Sequence, residues 1–352
     1  MTNKYNLLDL GWNECFEKGI EQYGDSYSIG RVAVEYRSLY KVYTEDGEIF
    51  ASVSGKMINS ATGRDDYPAV GDWVILDKNS NQNDRTIIRG ILERKSKFSR
   101  KVAGNSFDEQ IIAANIDIAF ICMSLNNNFN LRRLERYITM AWDSGARPVV
   151  LLTKADLCKD VDEKLDQTSG ILFGIDVHCI SCVSKSGISE VENYLEKGIT
   201  VAFIGSSGVG KSTIINELLG ESRQITQEVS NIGEKGRHTT TNRELVILPE
   251  GGVVIDTPGM RELHILDVSD SIDTAFKDIE GLSLKCKFSD CTHSSEPNCA
   301  VKEAISNGTL SKKRYESYVK LKKEAEYTER KLNRKAEIQY KKLAKKFTKS
   351  LR

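Results

Sequence analysis

The run GSSGVGKST at positions 205–213 constrains this chain more than any other stretch. It fits the pattern G-x-x-x-x-G-K-[ST] and lies between the apolar run TVAFIG and the helix-like TIINELLG. Strand, glycine-rich turn and helix are the context this motif requires. Gly205 and Gly210 let backbone N–H groups curl around phosphate oxygens, with Ser206, Ser207, Gly208 and Val209 forming the turn between them. The following helix N-terminus adds a favourable dipole. Lys211 is expected to reach the β- and γ-phosphates, Ser212 to ligate Mg²⁺, and Thr213 to close the contacting run. The alternative is a chance glycine-rich turn, which the flanking context argues against.

The position of the motif is unusual, because about a hundred residues of alternating strand and helix patterns precede it. Residues 1–28 look partly helical and carry no motif. From Ile29 to about residue 103 the pattern is β: RVAVEY alternates, EIFASV follows the turn EDG, and GDWVILD and TIIRGILE come next, with NSNQND (79–84) as a loop. Short strands at this spacing predict a small barrel, either an OB-fold or an SH3-like barrel. Residues 104–275 then alternate strands (IDIAFICMSL, RPVVLLT, DVHCIS, TVAFIG, and two near 243–248 and 252–256) with helices at LRRLERYITMAWDSG, 161–172, ISEVENYLEKG and TIINELLG. That rhythm predicts an α/β domain with a parallel sheet. Residues 276–352 read as mainly helical.

Three further motifs fall at strand ends, and a fourth lies between the P-loop and DTPG. DTPG (256–259) places Asp256 where it can hold Mg²⁺ through water and Gly259 where its N–H can sense a γ-phosphate. GRHTTT (236–241) offers a threonine hydroxyl to the magnesium shell, Thr240 first and Thr239 second. TKAD (153–156) follows its strand: Asp156 can accept both guanine N1–H and N2–H₂, which adenine does not offer, and the Lys154 stem can lie along the purine beside Thr153. ISC ends another strand, where Ser181 and Cys182 can offer a backbone N–H to guanine O6. TKAD and ISC alone could be ordinary loop residues; together with the other motifs they imply guanine specificity. Met260 occupies the position where many GTPases carry a water-orienting Gln. His238 is the nearby group able to share a proton near neutral pH, or else an exposed loop residue. Lys211, Thr240 and His238 are therefore the candidate catalytic residues.

The order TKAD, ISC, GSSGVGKS, HTT, DTPG is a circular permutation of the usual GTPase series. It closely resembles the ribosome small-subunit-dependent GTPase A (RsgA) family of bacteria. PAVGDWV (68–74), EQIIAANID (109–117) and the cysteine cluster below share that resemblance. The resemblance implies an N-terminal OB-fold, a permuted P-loop GTPase core and a C-terminal zinc domain. It also implies an enzyme that binds the 30S subunit and 16S rRNA, hydrolyses GTP to GDP, and assists late subunit maturation; a monomer is expected. Two rivals fit single motifs. A GTP-independent RNA-binding module is opposed by the intact Lys211, Ser212, Asp256 and Asp156, and an unrelated P-loop ATPase or kinase is opposed by Asp156.

Cys286, Cys291, His293 and Cys299 follow C-x₄-C-x-H-x₅-C. Three thiolates and one imidazole fill a tetrahedral Zn²⁺ shell with no open position, so the site is expected to be structural. Cys122 and Cys179 lie in strand patterns as small buried hydrophobes, His178 reads as packed rather than catalytic, and Cys15 and Cys158 have no evident partner. With no export-signal pattern and no apolar run near the ~20 residues that span a bilayer, a cytoplasmic protein is expected. Formal net charge is zero, but residues 311–352 carry 16 Lys/Arg against 5 Asp/Glu. Such polarity suggests polyanion contact, and RNA contact is expected from three places: the barrel with its basic exit LERKSKFSRK (92–101), the zinc domain and the tail. The tail's Leu332, Ala336, Tyr340, Leu343, Phe347 and Leu351 mark one apolar helical face, which packs on the protein itself or lies on RNA.

Overall fold

The computed structural model describes residues 4–21, 23, 26–78, 85–101, 109–169, 172, 174–220, 243–256, 272, 275–288, 290–294, 296–324 and 326. Two compact units result. One comprises Met1–Asn130, Ser144–Asp166 and Gly174–His264; the other comprises Leu131–Asp143, Gln167–Phe173 and Ile265–Arg352.

The first unit begins with helix α1 (Glu14–Ile20), capped by the Asn13 side chain, which accepts from Cys15 N–H. Five strands follow: β1 (Tyr27–Glu35), β2 (Tyr40–Thr44), β3 (Gly47–Val53), β4 (Trp73–Asp77) and β5 (Arg85–Ile91), with helix α2 (Gly55–Ser60) after β3. They run in the order β1-β2-β3-β5-β4, and β4 returns to pair with β1, closing the barrel. Closure removes the free edges of a small sheet. Its core is Val32, Tyr40, Val42, Ala51, Val74, Leu76 and Ile88. This closed five-stranded order is the OB-type barrel, one of the two forms the strand pattern left open.

Strand β1 corrects one expectation. RVAVEY was expected to alternate, yet Arg31 through Val34 are all buried. Arg31 is buried because its guanidinium serves as a junction: it donates to the carbonyls of Leu10, Gly71 (3.2 Å) and Asn115 (3.1 Å) and lies over Trp73. Burial lowers its pKa to about 10. Residues 4–21 thereby gain a structural place. Leu10 and Phe16 are buried, Trp12 stands edge-on to Trp73 at 4.9 Å, and Gly198 N–H donates to Asp9 O at 3.2 Å. The segment ties the barrel to the chain entering the P-loop strand.

After the barrel, β6 (Lys97–Lys101) pairs antiparallel with β7 (Glu109–Ala114). PAVGDWV lies where barrel and α/β sheet meet. Gly71 has φ +93°, and a Cβ there would sit 2.2 Å from Ala114 O and 2.8 Å from Ile255 Cδ1, so only glycine fits.

The α/β region adds β8 (Ile118–Ser124), α3 (Leu131–Ser144), β9 (Arg147–Thr153), α4 (Val161–Ser169), β10 (Asp176–Ile180), α5 (Ile188–Glu192), β11 (Thr200–Ile204), α6 (Lys211–Leu219), β12 (Glu244–Ile247) and β13 (Val253–Asp256). The strand order is β10-β9-β8-β11-β13-β12, parallel except for β12. Strands β8 and β11 are buried at every residue, the pattern of a parallel sheet covered on both faces. Helix α5 is shorter than ISEVENYLEKG led us to expect. Beyond Glu192 the bonds tighten to i→i+3, with Tyr194 N–H on Val191 O and Leu195 N–H on Glu192 O, as the chain turns to enter β11.

The second unit contains the helices Lys277–Ser283, Ala300–Ser306 and 312–324, with α3 residues Leu131–Asp143. At its centre, Arg314 makes paired 2.7 Å bonds to Asp278, a 2.8 Å bond to Glu135, and stacks over Phe276. Among the described residues no helix is long and apolar enough to cross a membrane. The loop 79–84 and the tail face 332–351 lie outside the described residues.

Candidate active site and metal centre

Chain order in the parallel sheet runs β8, β9, β10 to one side, then returns to β11 and β13 on the other side of β8. The direction of winding therefore reverses between β8 and β11, and a crevice opens at the carboxyl ends of strands at such a point. The P-loop occupies that crevice. Gly205 has φ +151°, and a Cβ there would meet Cys122 O of β8 at 2.5 Å, so close strand packing dictates glycine. Gly208 (φ +75°) and Gly210 (φ +103°) face open space instead, so backbone conformation and room above the turn set their identity. Gly210 caps α6, and the Lys211 ammonium folds back over the turn to donate to Gly205 O (2.7 Å) and Ser206 O (2.9 Å). The ammonium is thus held inside the turn that an anion would enter. Ser212 and Thr213 are exposed on the first turn of α6, and Val209 is buried beneath the loop.

The halves separated in sequence are joined by side chains. Thr153, 3 % exposed, donates its hydroxyl to Val209 O at 2.5 Å, tying the end of β9 to the P-loop across 56 residues. Lys154 takes a left-handed conformation (φ +59°) that starts the short 3₁₀ turn Ala155–Leu157 and presents Asp156. Ser181, at the end of β10, donates its hydroxyl to Asp156 Oδ1 at 2.6 Å. One carboxylate oxygen is therefore fixed from behind, which orients the group. The Ser181 N–H is already engaged by Ser186 O at 2.9 Å, so a donor from ISC falls to Cys182 rather than Ser181.

Asp256 ends β13, the neighbour of β11 on the side away from β8, and so lies at the same carboxyl edge as the P-loop. His238, Thr239, Thr240, Gly259 and Met260 lie outside the described residues. Of the remaining candidates, Cys122 is fully buried and its thiol is pushed up to about 12 by burial, whereas Cys179 is only half-buried on the edge strand β10. His178 hydrogen-bonds the Tyr194 hydroxyl at 2.9 Å, a packing role away from the carboxyl edge.

In the second unit Cys286, Cys291, His293 and Cys299 bring their ligand atoms within 4.8 Å of one another. The spacing fits an ion. Tetrahedral ligation at a zinc–sulfur bond of ~2.3 Å separates two sulfurs by about 3.8 Å, and the Cys286 and Cys299 sulfurs are 3.9 Å apart. His293 Nδ1 lies 3.6 Å and 3.3 Å from those sulfurs, so Nδ1 is the inward nitrogen. Its other nitrogen, Nε2, meets Ser283 Oγ at 3.1 Å, and that hydroxyl donates onward to Ile279 O. The relay sets the Nε2–H tautomer and leaves the Nδ1 lone pair for a metal. Sequence reasoning missed Ser283, because nothing in its spacing from His293 reports ring orientation. Cys299 caps helix Ala300–Ser306, where its sulfur accepts from Lys302 N–H.

Comparison with known proteins agrees with this geometry. A family model described as RsgA GTPase matches residues 91–266. The chain is 47 % identical over 322 residues to small ribosomal subunit biogenesis GTPase RsgA 2 of Lactiplantibacillus plantarum, covering 92 % of this chain and 90 % of that protein. It is 42 % identical to RsgA 1 of Oceanobacillus iheyensis, covering 97 % and 98 %. Among solved structures it is similar to YjeQ from Thermotoga maritima (TM-score 0.62, 26 % identity, 85 % of this chain and 98 % of that one). It is equally similar to YloQ, a circularly permuted GTPase (TM-score 0.61, 26 % identity, 87 % and 97 %). With its P-loop assembled after, rather than before, the strands that carry TKAD and ISC, the chain belongs to the RsgA GTPase family and is a circularly permuted GTP hydrolase.

Proposed function

We propose that this GTPase binds the 30S ribosomal subunit through its 16S rRNA, assists late maturation of the subunit, and hydrolyses GTP faster when bound to it. The observation that supports the nucleotide half is the Thr153–Val209 and Ser181–Asp156 pair of bonds, which link TKAD to the P-loop and to ISC across long stretches of sequence. The ribosomal half rests on the names of the relatives, which are small-subunit biogenesis GTPases.

In this reading Asp156 accepts from guanine, Lys154 lines the purine and Cys182 N–H meets O6. The N–H groups of 205–213 and the Lys211 ammonium bind phosphate. Ser212, Thr240 and Asp256 hold Mg²⁺, which supplies charge neutralisation at the phosphates. Thr239 is the second choice for that shell, and Gly259 N–H senses the γ-phosphate. With Met260 in place of a Gln, unassisted turnover is slow, near the ~10⁻⁴ to 10⁻² s⁻¹ of unaided GTPases, and His238 orients water once the subunit fixes it. The cysteine cluster holds a structural Zn²⁺.

The working segments are an N-terminal extension (1–28), the barrel (29–103), the GTPase core (104–275) and the zinc domain with its basic tail (276–352). The enzyme is a cytoplasmic monomer. Support for RNA contact comes from the outer face of the barrel. Exposed Tyr36 and Phe50 lie 6.4 Å apart, and Phe50 stands in register with Lys41 on one side and Arg85 on the other. Exposed rings flanked by cations suit stacked bases and their phosphates.

The deciding experiment is GTP turnover by the full chain with and without purified 30S subunits. A rise of severalfold or more is expected, and His238→Ala should lose most of it while still binding GTP and subunit. Equal rates with and without subunits would overturn the subunit half of this reading.

A further inference from the structure

Strand β1 is shared between two structures. Its first half, Tyr27–Arg31, pairs with β4 and closes the barrel. Past Trp73 the partner edge turns away: Gly71 and Asp72 exchange bonds with Val32 instead, and the β1–β2 ladder shifts register between Val32 and Val34. The vacated edge is taken by β12 at a single pair, Val34 opposite Glu244. Glu244 is in turn opposite Asp256 on β13. Val34, Glu244 and Asp256 thus form one rung across three strands. At about 4.8 Å per strand, the barrel backbone lies roughly 10 Å from the Asp256 backbone.

One backbone pair is a weak join, and side chains reinforce it. Arg243, the residue before β12, donates to Glu35 Oε2 at 3.3 Å and to Ile111 O of β7 at 3.4 Å. Its side chain is 13 % exposed and that of Glu35 29 %, so solvent screens the pair less than it would a surface bridge. The guanidinium therefore fastens the barrel, the β6–β7 ribbon and β12 at one point. β12 has four residues, and a one-residue slip would turn every side chain to the opposite face.

We propose that Glu35 and Arg243 are positioning residues for GTP hydrolysis, clamping β12 to the barrel so that Asp256 is held in register beside the P-loop. The barrel then forms part of the support of the hydrolytic site as well as a surface for RNA. The inference rests on the reading of Asp256 as the magnesium-side carboxylate.

The test uses the full chain without ribosomes, so that its outcome is separate from subunit binding. Single-turnover GTP hydrolysis, GDP affinity, and hydrogen exchange of the 244–247 amides are measured for Glu35→Gln, Arg243→Gln, Arg243→Lys and the exchanged pair Glu35→Arg with Arg243→Glu. Glu35→Gln and Arg243→Gln should hydrolyse GTP about tenfold more slowly, the scale of loss when a reacting group is slightly misplaced. GDP affinity should stay at the parent value and the 244–247 amides should exchange faster. Arg243→Lys should keep most of the rate, and the exchanged pair should recover part of it. Parent-like exchange in Glu35→Gln, or parent-like hydrolysis in both single variants, overturns the proposal, as does a loss of GDP affinity in step with the rate. If Arg243→Gln does not fold, Glu35→Gln carries the same readouts. An Asp256→Asn control separates the two ideas. Full turnover in that variant refutes the carboxylate reading, whereas lost turnover there with parent-like Glu35→Gln refutes the clamp.

Discussion

Strand β11, which carries the P-loop, is buried at all five residues, whereas between Cys286 and Cys299 only Cys299 is buried among the described residues. The two regions therefore reach order by different means. The nucleotide cradle is a turn whose ends are anchored in a packed sheet, so its shape precedes its ligand. The cysteine loop has almost no apolar surface to bury, and a loop of that kind stays folded only if its side chains are tied together. The difference teaches where each region is vulnerable. Core substitutions and backbone strain threaten the cradle, while loss of a ligand or of its support threatens the loop.

The contrast can be broken most directly by removing the metal that the cysteine cluster is proposed to hold. Apparent binding free energies for structural zinc are on the order of 10–16 kcal/mol, and for such a loop that is folding free energy. Chelation, or Cys291→Ala, should abolish exchange protection across 286–299 while GDP affinity is kept. Retained protection, or a purified protein without zinc by elemental analysis, would remove the contrast.

A smaller effect tests whether the second unit has a core apart from the metal. Arg314→Ala leaves Glu135, 3 % exposed, without its 2.8 Å partner. Breaking a buried pair from one side costs about 3–5 kcal/mol. Denaturant unfolding followed in the second unit should shift by that amount with the metal still bound. A shift no larger than that of a surface variant would mean that the metal alone organises the unit.

Ser283→Ala sharpens the picture of the loop. It frees the His293 ring from the Ser283–Ile279 relay, and outer partners of this kind are worth roughly 10–100-fold in metal affinity. Competition with a chromophoric chelator should register that loss, with Ser283→Thr close to the parent. On the cradle side, Asp156→Asn should narrow the preference for GTP over ATP by on the order of 1–3 kcal/mol, because one side of a bidentate pairing is lost. An unchanged ratio in nucleotide competition would take TKAD out of the base pocket.

How much could be read in advance followed the range of the interaction. GSSGVGKST was legible because its requirements are local: positive φ at Gly208 and Gly210 and a strand-to-helix turn. The barrel was legible as strands but not as a closed order, since β1 pairing with β4 joins segments about 45 residues apart. Helix α5 was overextended because the periodicity of ISEVENYLEKG continues past the point where the chain must turn into β11. Arg31 looked like an outward position, because alternation cannot foresee three carbonyls converging on one guanidinium from Leu10, Gly71 and Asn115. The extension before residue 28 looked partly helical, as Glu14–Ile20 is, but carried no motif, and its aromatic contacts with Trp73 appear only once the barrel is closed.

By itself, the sequence determined the candidates: a glycine-rich turn, the aspartate of TKAD and four Cys/His residues that could hold a metal are set by residue type and short spacing. Tertiary structure decided their relations. It set the reversal between β8 and β11 that opens the crevice, the threonine that ties β9 to the P-loop, the serine that holds Asp156, and the barrel strand that meets β12. Each of these is a contact between segments far apart in the chain. Local propensity fixes backbone shape within a few residues, but which distant side chains meet is settled only when burial and strand pairing choose one packing of the whole.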